Sequence, residues 1–196
     1  MRILYLGPEG KIPNWLKSIG EEITQTETAV VAEDVQRFDF LISYGYRHII
    51  KPDVLALFPN RAINLHASYL PWCRGSDVIL WSVVDENTPH GVTIHYLDEG
   101  IDTGDIIIQG LVPVDDCNDT LRTLYERHHN WLQRLFKENW MSIRDGEFMG
   151  NQQTGLGSYH TVADRSKVEH LLHDQWDTPI IYLIGADEGL ASFSER

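Results

Sequence analysis

Apolar and polar positions divide the chain into short strand-like and helix-like segments. Arg2 to Leu6 is largely apolar and closes at Gly7, the pattern of a buried strand followed by a glycine turn. Phe38 to Ser43 (FDFLIS) and Arg61 to Leu65 are equally compact and predict two more strands; Ile23 to Val31, with its Thr and Val, predicts another. Helical segments fall between them, over Asn14 to Ile19 and from Pro52 to about Phe58, where proline suits the first helical turn. Leu70 to Ser76 (LPWCRGS) is a loop by its Pro and Gly. Asp77 stands where it can cap a helix over Val78 to Val84, whose apolar faces predict burial. Gly91 to Tyr96 (GVTIHY) alternates and is β-branched, Asp105 to Leu111 is a further strand, and Asp98 to Gly104 (DEGIDTG) is the loop between them. The clearest helix begins near Asn118 or Asp119 and runs to about Met141, with Leu121, Leu124, Tyr125, His128, Leu132, Leu135 and Phe136 at helical spacing.

Strands alternating with helices predict an α/β sheet, largely parallel in its first half and flanked by helices. After Gly150 the periodicity weakens, and GLGSYHTVADRSKVEHLL reads as a loop and then a short helix. This divides the chain into a domain over residues 1–150 and a short C-terminal extension, 151–196, packing on it.

Charge narrows the partners. With 16 Lys and Arg against 29 Asp and Glu, the formal net charge is −13. Such a chain sets up no field that draws in nucleic acid and repels anionic membranes, and it has no basic run. Two cysteines, Cys73 and Cys117, make neither a disulfide framework nor a zinc signature. No apolar stretch approaches membrane-spanning length, and the N-terminal run is too short for a signal-peptide core. The expectation is a cytoplasmic protein without nucleic-acid or membrane partners; a homodimer is left open.

The candidate chemistry starts at Asn64-Leu65-His66, the end of a predicted strand. Residues two apart in a strand share a face, so Asn64 and His66 project together. An amide donor beside an imidazole suits acyl transfer: Asn can stabilise a developing oxyanion and His can move a proton near neutral pH. The plainer alternative is a turn Asn and a buried His. Asp102, in Glu99-Gly100-Ile101-Asp102-Thr103-Gly104, is either a turn former or the carboxylate that orients His66. Sequence pattern alone does not say whether the loop reaches the strand end. His170 and His173 stand three apart with no third ligand, so no metal site is expected. Gly7-Pro8-Glu9-Gly10 is no dinucleotide fingerprint.

Residues 63–110 closely resemble the core of the formyltransferase family, which includes glycinamide ribonucleotide, methionyl-tRNA and amino-sugar N-formyltransferases and peptide-synthetase formylation domains. The resemblance rests on four ordered motifs: Asn64-Leu65-His66, Ser68-Tyr69-Leu70-Pro71, Gly91-Val92-Thr93-Ile94-His95 and Asp102-Thr103-Gly104. It extends more loosely over residues 1 to about 150. Ala67 stands where the family commonly has Pro, and Val78 where Pro often follows the loop. On length, a C-terminal barrel typical of the tRNA-formylating branch is not expected.

The resemblance implies a Rossmann-like formyltransferase fold and N10-formyltetrahydrofolate as co-substrate, without metal. It implies catalysis by Asn64, His66 and Asp102. The folate would lie between His48-Ile49-Ile50 and a second wall of Leu97, Glu99, Gly100 and Ile101. Gly157-Ser158-Tyr159-His160 resembles a segment of amino-sugar formyltransferases and peptide-synthetase formylation domains. On that basis Trp72, Arg74, Tyr159 and His160 are candidates for the acceptor site, and the acceptor is expected to be a primary amine on a nucleotide-linked deoxyamino sugar, or on a nine-carbon, pseudaminic-acid-type sugar, of surface glycans. Alternatives are a glycinamide ribonucleotide formyltransferase and, from another class, a non-catalytic folate-binding or carrier-docking module.

Overall fold

All four residues from Ile3 to Leu6 are buried in the first strand, which leaves neither of its faces to water, as in the interior of a parallel sheet. The computed structural model describes residues 1–186. In chain order its elements are β1 (Arg2–Leu6), α1 (Lys11–Ser18), β2 (Glu22–Thr26), α2 (Ala32–Val35), β3 (Phe40–Ser43), α3 (Pro52–Leu55), β4 (Ala62–His66), β5 (Arg74–Gly75), α4 (Val78–Val84), β6 (Gly91–Tyr96), β7 (Ile106–Leu111), α5 (Leu121–Arg144) and β8 (Tyr159–His160), followed by short 3-10 turns. The chain divides into two compact units interleaved in sequence. The first is Met1–His66, Thr93–Ile108 and Leu132–Gln153; the second is Ala67–Val92, Gln109–Trp131 and Thr154–Arg196.

The sheet has the order β2-β1-β3-β4-β6-β7. Its pairs from β2 to β4 are parallel, and β4 pairs antiparallel with β6. This is the α/β sheet, parallel in its first half, that the alternation of segments predicts. In the first unit, Leu4, Leu6, Val35, Leu41, Val54, Phe58 and Ala62 form a buried cluster. Phe40, one residue from Leu41 and so on the other face of β3, meets Trp140 of α5 edge-on at 5.2 Å. Leu132, Phe136, Trp140 and Ile143 are all buried, at helical spacing. The Trp140 indole N–H donates to Glu21 Oε1 at 3.1 Å, and Arg144 Nη1 donates to the same oxygen at 3.3 Å, so the buried carboxylate keeps partners.

Element ends differ from expectation in informative ways. α1 begins at Lys11 rather than Asn14, since Pro13 falls within the first turn, where its missing N–H costs nothing. β2 stops at Thr26 and α2 begins at Ala32, so the predicted strand to Val31 runs too long. Asp77 does not cap α4. Its backbone is left-handed (φ 52°), it makes no capping bond, and its Oδ1 accepts from Arg165 Nη1 at 2.8 Å. The helix itself is as buried as its sequence predicts, from Ile79 to Val84.

In the second unit, fully buried His128 donates from Nδ1 to the Leu124 carbonyl at 2.9 Å. That bond assigns the proton to Nδ1, because a carbonyl only accepts. The His90 ring lies edge-on 6.0 Å away. Burial pushes His128 down to about 4; the bond to Leu124 opposes the shift, and His90, His129 and Arg127 add to it. A histidine depressed in the fold stabilises it fully above its unfolded value of about 6.5, and that contribution is lost as pH falls toward 4. The loss is about 3 kcal/mol. Urea denaturation at pH 7 and pH 4.5 should therefore show a smaller difference in His128→Asn than in wild type. An equal pH dependence in the two proteins would remove His128 as the cause.

Candidate active site

Antiparallel pairing of β4 with β6 sets Asn64 opposite His95 and His66 opposite Thr93. Directly opposed residues and residues two apart share a face, so these four side chains stand together on one side of the sheet. Leu65 and Ile94, on the other side, are buried.

Asp102 joins this group from the loop between β6 and β7. One of its carboxylate oxygens, Oδ1, lies 3.1 Å from Asn64 Nδ2, 3.5 Å from His66 Nδ1 and 3.6 Å from His95 Nε2. Only the first is within ordinary hydrogen-bond length; both imidazole nitrogens lie beyond it. The loop arrives there through two local features. Asp102 has a left-handed backbone (φ 55°). Gly104 passes so close to β6 that a Cβ would lie 1.8 Å from the Tyr96 carbonyl oxygen. Gln153 then fastens the loop, its Nε2 donating to the carbonyls of Asp102 and Gly104, both at 2.8 Å.

His95 is wholly buried. Its Nδ1 lies 2.7 Å from the Tyr96 carbonyl and so carries the proton, which leaves Nε2 as an acceptor for Asn64 Nδ2 at 3.2 Å. The two Asn64 N–H groups thus point at Asp102 and His95, and donation to an incoming oxygen requires one of them to turn. His66 is buried and Asp102 nearly so. Water is largely excluded from the group, which strengthens charge interactions within it. An amide, two imidazoles and a carboxylate so arranged can stabilise an oxyanion and relay a proton.

The model of the family described as formyl transferase matches residues 19–138, more than half of the chain. The chain belongs to the formyltransferase family. It is 49% identical to the formyltransferase PseJ from Anoxybacillus kamchatkensis, whose crystal structure is a complex with UDP-4,6-dideoxy-4-formamido-L-AltNAc and tetrahydrofolate. That match has a TM-score of 0.91 and covers 95% of this chain and 99% of that one. The N-formyltransferase from Helicobacter canadensis shares the fold at 22% identity and a TM-score of 0.70, over 83% of this chain and 71% of its own. Methionyl-tRNA formyltransferase from Anaeromyxobacter sp. (strain K) is 37% identical over 114 residues, 55% of this chain. The chain spans about a third (36%) of the length of that relative.

The residues expected to wall a folate site lie on two loops of the first unit in this family member. Ile50 and Leu97 both pack on the buried cluster of the first unit. From there His48, Ile49, Glu99, Gly100 and Ile101 stand exposed, Ile49 at 72%. Two exposed apolar side chains on loops anchored in one core offer a flat apolar heterocycle the surface it needs. In the second unit, Arg74 and Tyr159 lie side by side in the β5–β8 pair. Trp72 is half-buried. His160 is turned away from solvent, its ring stacked on Trp81 at 3.8 Å and its Nε2 2.8 Å from Asp85 Oδ2.

Two residues of the group around Asn64 were not among the expected site residues. His95 is visible in GVTIHY, and its shared parity with Thr93 was a usable signal, but only strand pairing sets it opposite Asn64. Gln153 lies 51 positions from Asp102 and carries no local signal. Among the described residues no helix is long and apolar enough to cross a membrane.

Proposed function

We propose that this protein transfers the formyl group of N10-formyltetrahydrofolate to a primary amine of a nucleotide-linked deoxyamino sugar, and that Asn64, His66 and Asp102 carry the step. The observation that carries this reading is the near full-length similarity, at 49% identity, to a formyltransferase bound to a UDP-linked 4-formamido sugar and tetrahydrofolate. A UDP-linked 4-amino-4,6-dideoxy sugar is therefore the favoured acceptor.

The acceptor amine attacks the formyl carbon, forming a C–N bond and placing negative charge on the formyl oxygen. Asn64 Nδ2 and His66 stabilise that oxygen, Asn64 by turning one N–H from its resting partner. The bond from carbon to N10 then breaks. The amine nitrogen loses one proton and N10 gains one, with His66 as the carrier and the Asp102 carboxylate stabilising its protonated form. The His48-Ile49-Ile50 segment and Leu97, Glu99, Gly100 and Ile101 hold the pterin. Trp72, Arg74 and Tyr159 receive the nucleotide sugar, the guanidinium being suited to a diphosphate.

An acceptor panel tests this. With N10-formyltetrahydrofolate, the protein should add one CO unit of mass to UDP-4-amino-4,6-dideoxy sugars and leave glycinamide ribonucleotide and methionyl-tRNA unchanged. With a net charge of −13 and no basic run, it should also lack salt-sensitive tRNA binding. Turnover confined to methionyl-tRNA, with affinity falling steeply in salt, would overturn the sugar reading in favour of the chemistry named for the Anaeromyxobacter relative.

A further inference from the structure

β5 and β8 form a parallel ladder only two residues long, pairing Arg74 with Tyr159 and Gly75 with His160. So short a ladder does not hold itself together in water. Its register is nevertheless closely built. The Arg74 N–H donates to the Ser158 carbonyl and the Ser76 N–H to the His160 carbonyl, both at 2.9 Å. A Cβ on Gly75 would lie 2.2 Å from the His160 oxygen, so only glycine permits this approach. Just before the ladder, the Cys73 N–H donates to Ser158 Oγ at 2.9 Å.

The His160 side chain, at the end of the ladder, is itself anchored. Its imidazole lies parallel to the Trp81 indole, 3.8 Å away with 3° between planes, and Nε2 meets Asp85 Oδ2 at 2.8 Å. Trp81 and Asp85 are four residues apart at the C-terminal end of α4 and so stand on one helix face. Both the His160 and Asp85 side chains are largely buried, at 16% and 11% exposure. Asp85 Oδ1 and the Trp81 indole N–H are buried without a hydrogen-bond partner among the described residues. Loss of the His160 donor would leave the other Asp85 oxygen short as well, and a buried carboxylate without a donor is costly. Alternation then sends Arg74 and Tyr159 to the face of the ladder opposite His160. Tyr159 is half exposed there.

We propose that His160 is a positioning residue: held by Asp85 and Trp81, it fixes the ladder register that presents Arg74 and Tyr159 to the acceptor nucleotide sugar, and it does not touch the acceptor itself. The inference rests on the reading above that Arg74 and Tyr159 line the acceptor site. It deepens that reading by separating the residues that contact the sugar nucleotide from the residue that aims them.

Two readouts on the full-length protein separate the claims: hydrogen exchange at the Arg74 and Ser76 amides, and steady-state kinetics with the UDP-4-amino sugar. His160→Ala should lower protection of both amides and raise the acceptor KM, each roughly tenfold, the scale of one buried hydrogen bond. The kcat, the folate affinity and the protection of β1 amides should stay at wild type. His160→Gln keeps a planar side chain and an N–H donor and should recover most of both effects. Arg74→Ala and Tyr159→Ala should raise the KM without loosening the Ser76 amide. A raised KM with full protection in His160→Ala would mean direct contact with the acceptor and overturn the proposal. Lost protection with an unchanged KM overturns it too, and Arg74→Ala then locates the fault: a raised KM there means the lock is not needed, an unchanged one that the acceptor-site reading itself is wrong. If His160→Ala does not fold, Asp85→Asn is judged by the same outcomes.

Discussion

Replacement of Asn64 by alanine should cut kcat by a hundredfold to a thousandfold, about 3 kcal/mol, the usual cost of removing one oxyanion donor. The donor acts on charge that exists only in the transition state, so folate affinity should stay near wild type. Geometry adds a second consequence. Asn64 Nδ2 holds Asp102 Oδ1 at 3.1 Å and His95 Nε2 at 3.2 Å, so alanine also removes one donor from each of two largely buried partners and should lower stability by about 1–3 kcal/mol. Asn64→Asp should be the less active variant, because it places a second carboxylate against Asp102 and a negative charge toward the oxyanion. The expected order is wild type, Ala, Asp, read from single-turnover kinetics with circular dichroism as the check on folding. Full kcat in a folded Ala variant would sink the oxyanion role.

Asp102→Asn should cost more, on the order of a thousandfold to ten-thousandfold in kcat, by analogy with other carboxylates that orient a catalytic imidazole. The substitution keeps size and removes the charge. In the wild-type protein one oxygen faces Asn64 and both imidazoles. An amide in its place can offer those three groups either its oxygen or its NH2, and neither stabilises an imidazolium as a carboxylate does. Folate affinity should change little, since the proposed pterin walls are left intact. The loop should also stay in place, because Gln153 grips the backbone carbonyls of Asp102 and Gly104, not the carboxylate. Near-normal kcat with unchanged folate binding would reduce Asp102 to a turn residue.

Both variants depend on a grouping that sequence reading reached only in part. Local pattern located most elements well: the Ile3 to Leu6 run, the GVTIHY alternation and the Leu121 to Phe136 periodicity are each set by near neighbours. Errors fell at ends and caps. Asp77 has the right chemistry and position for an N-cap, yet a left-handed backbone and Arg165, 88 positions away, claim its carboxylate instead. Tyr159-His160 drew attention as a pair, but alternation and the Trp81 ring give the two residues opposite surroundings.

What the amino-acid sequence determined by itself is the α/β class and the common face of Asn64 and His66, which follow from the alternation of segments and from a strand's period of two, and the formyltransferase resemblance, which rests on four ordered motifs between Asn64 and Gly104. Tertiary structure alone decided that Asp102 stands within reach of Asn64, that His95 completes the group, that Gln153 ties down the loop and that His160 is anchored in the protein. Each of these is a contact between residues far apart in sequence. Such contacts depend on strand register, on how closely a glycine lets two backbones approach and on which buried polar group still lacks a partner, and no local pattern encodes them.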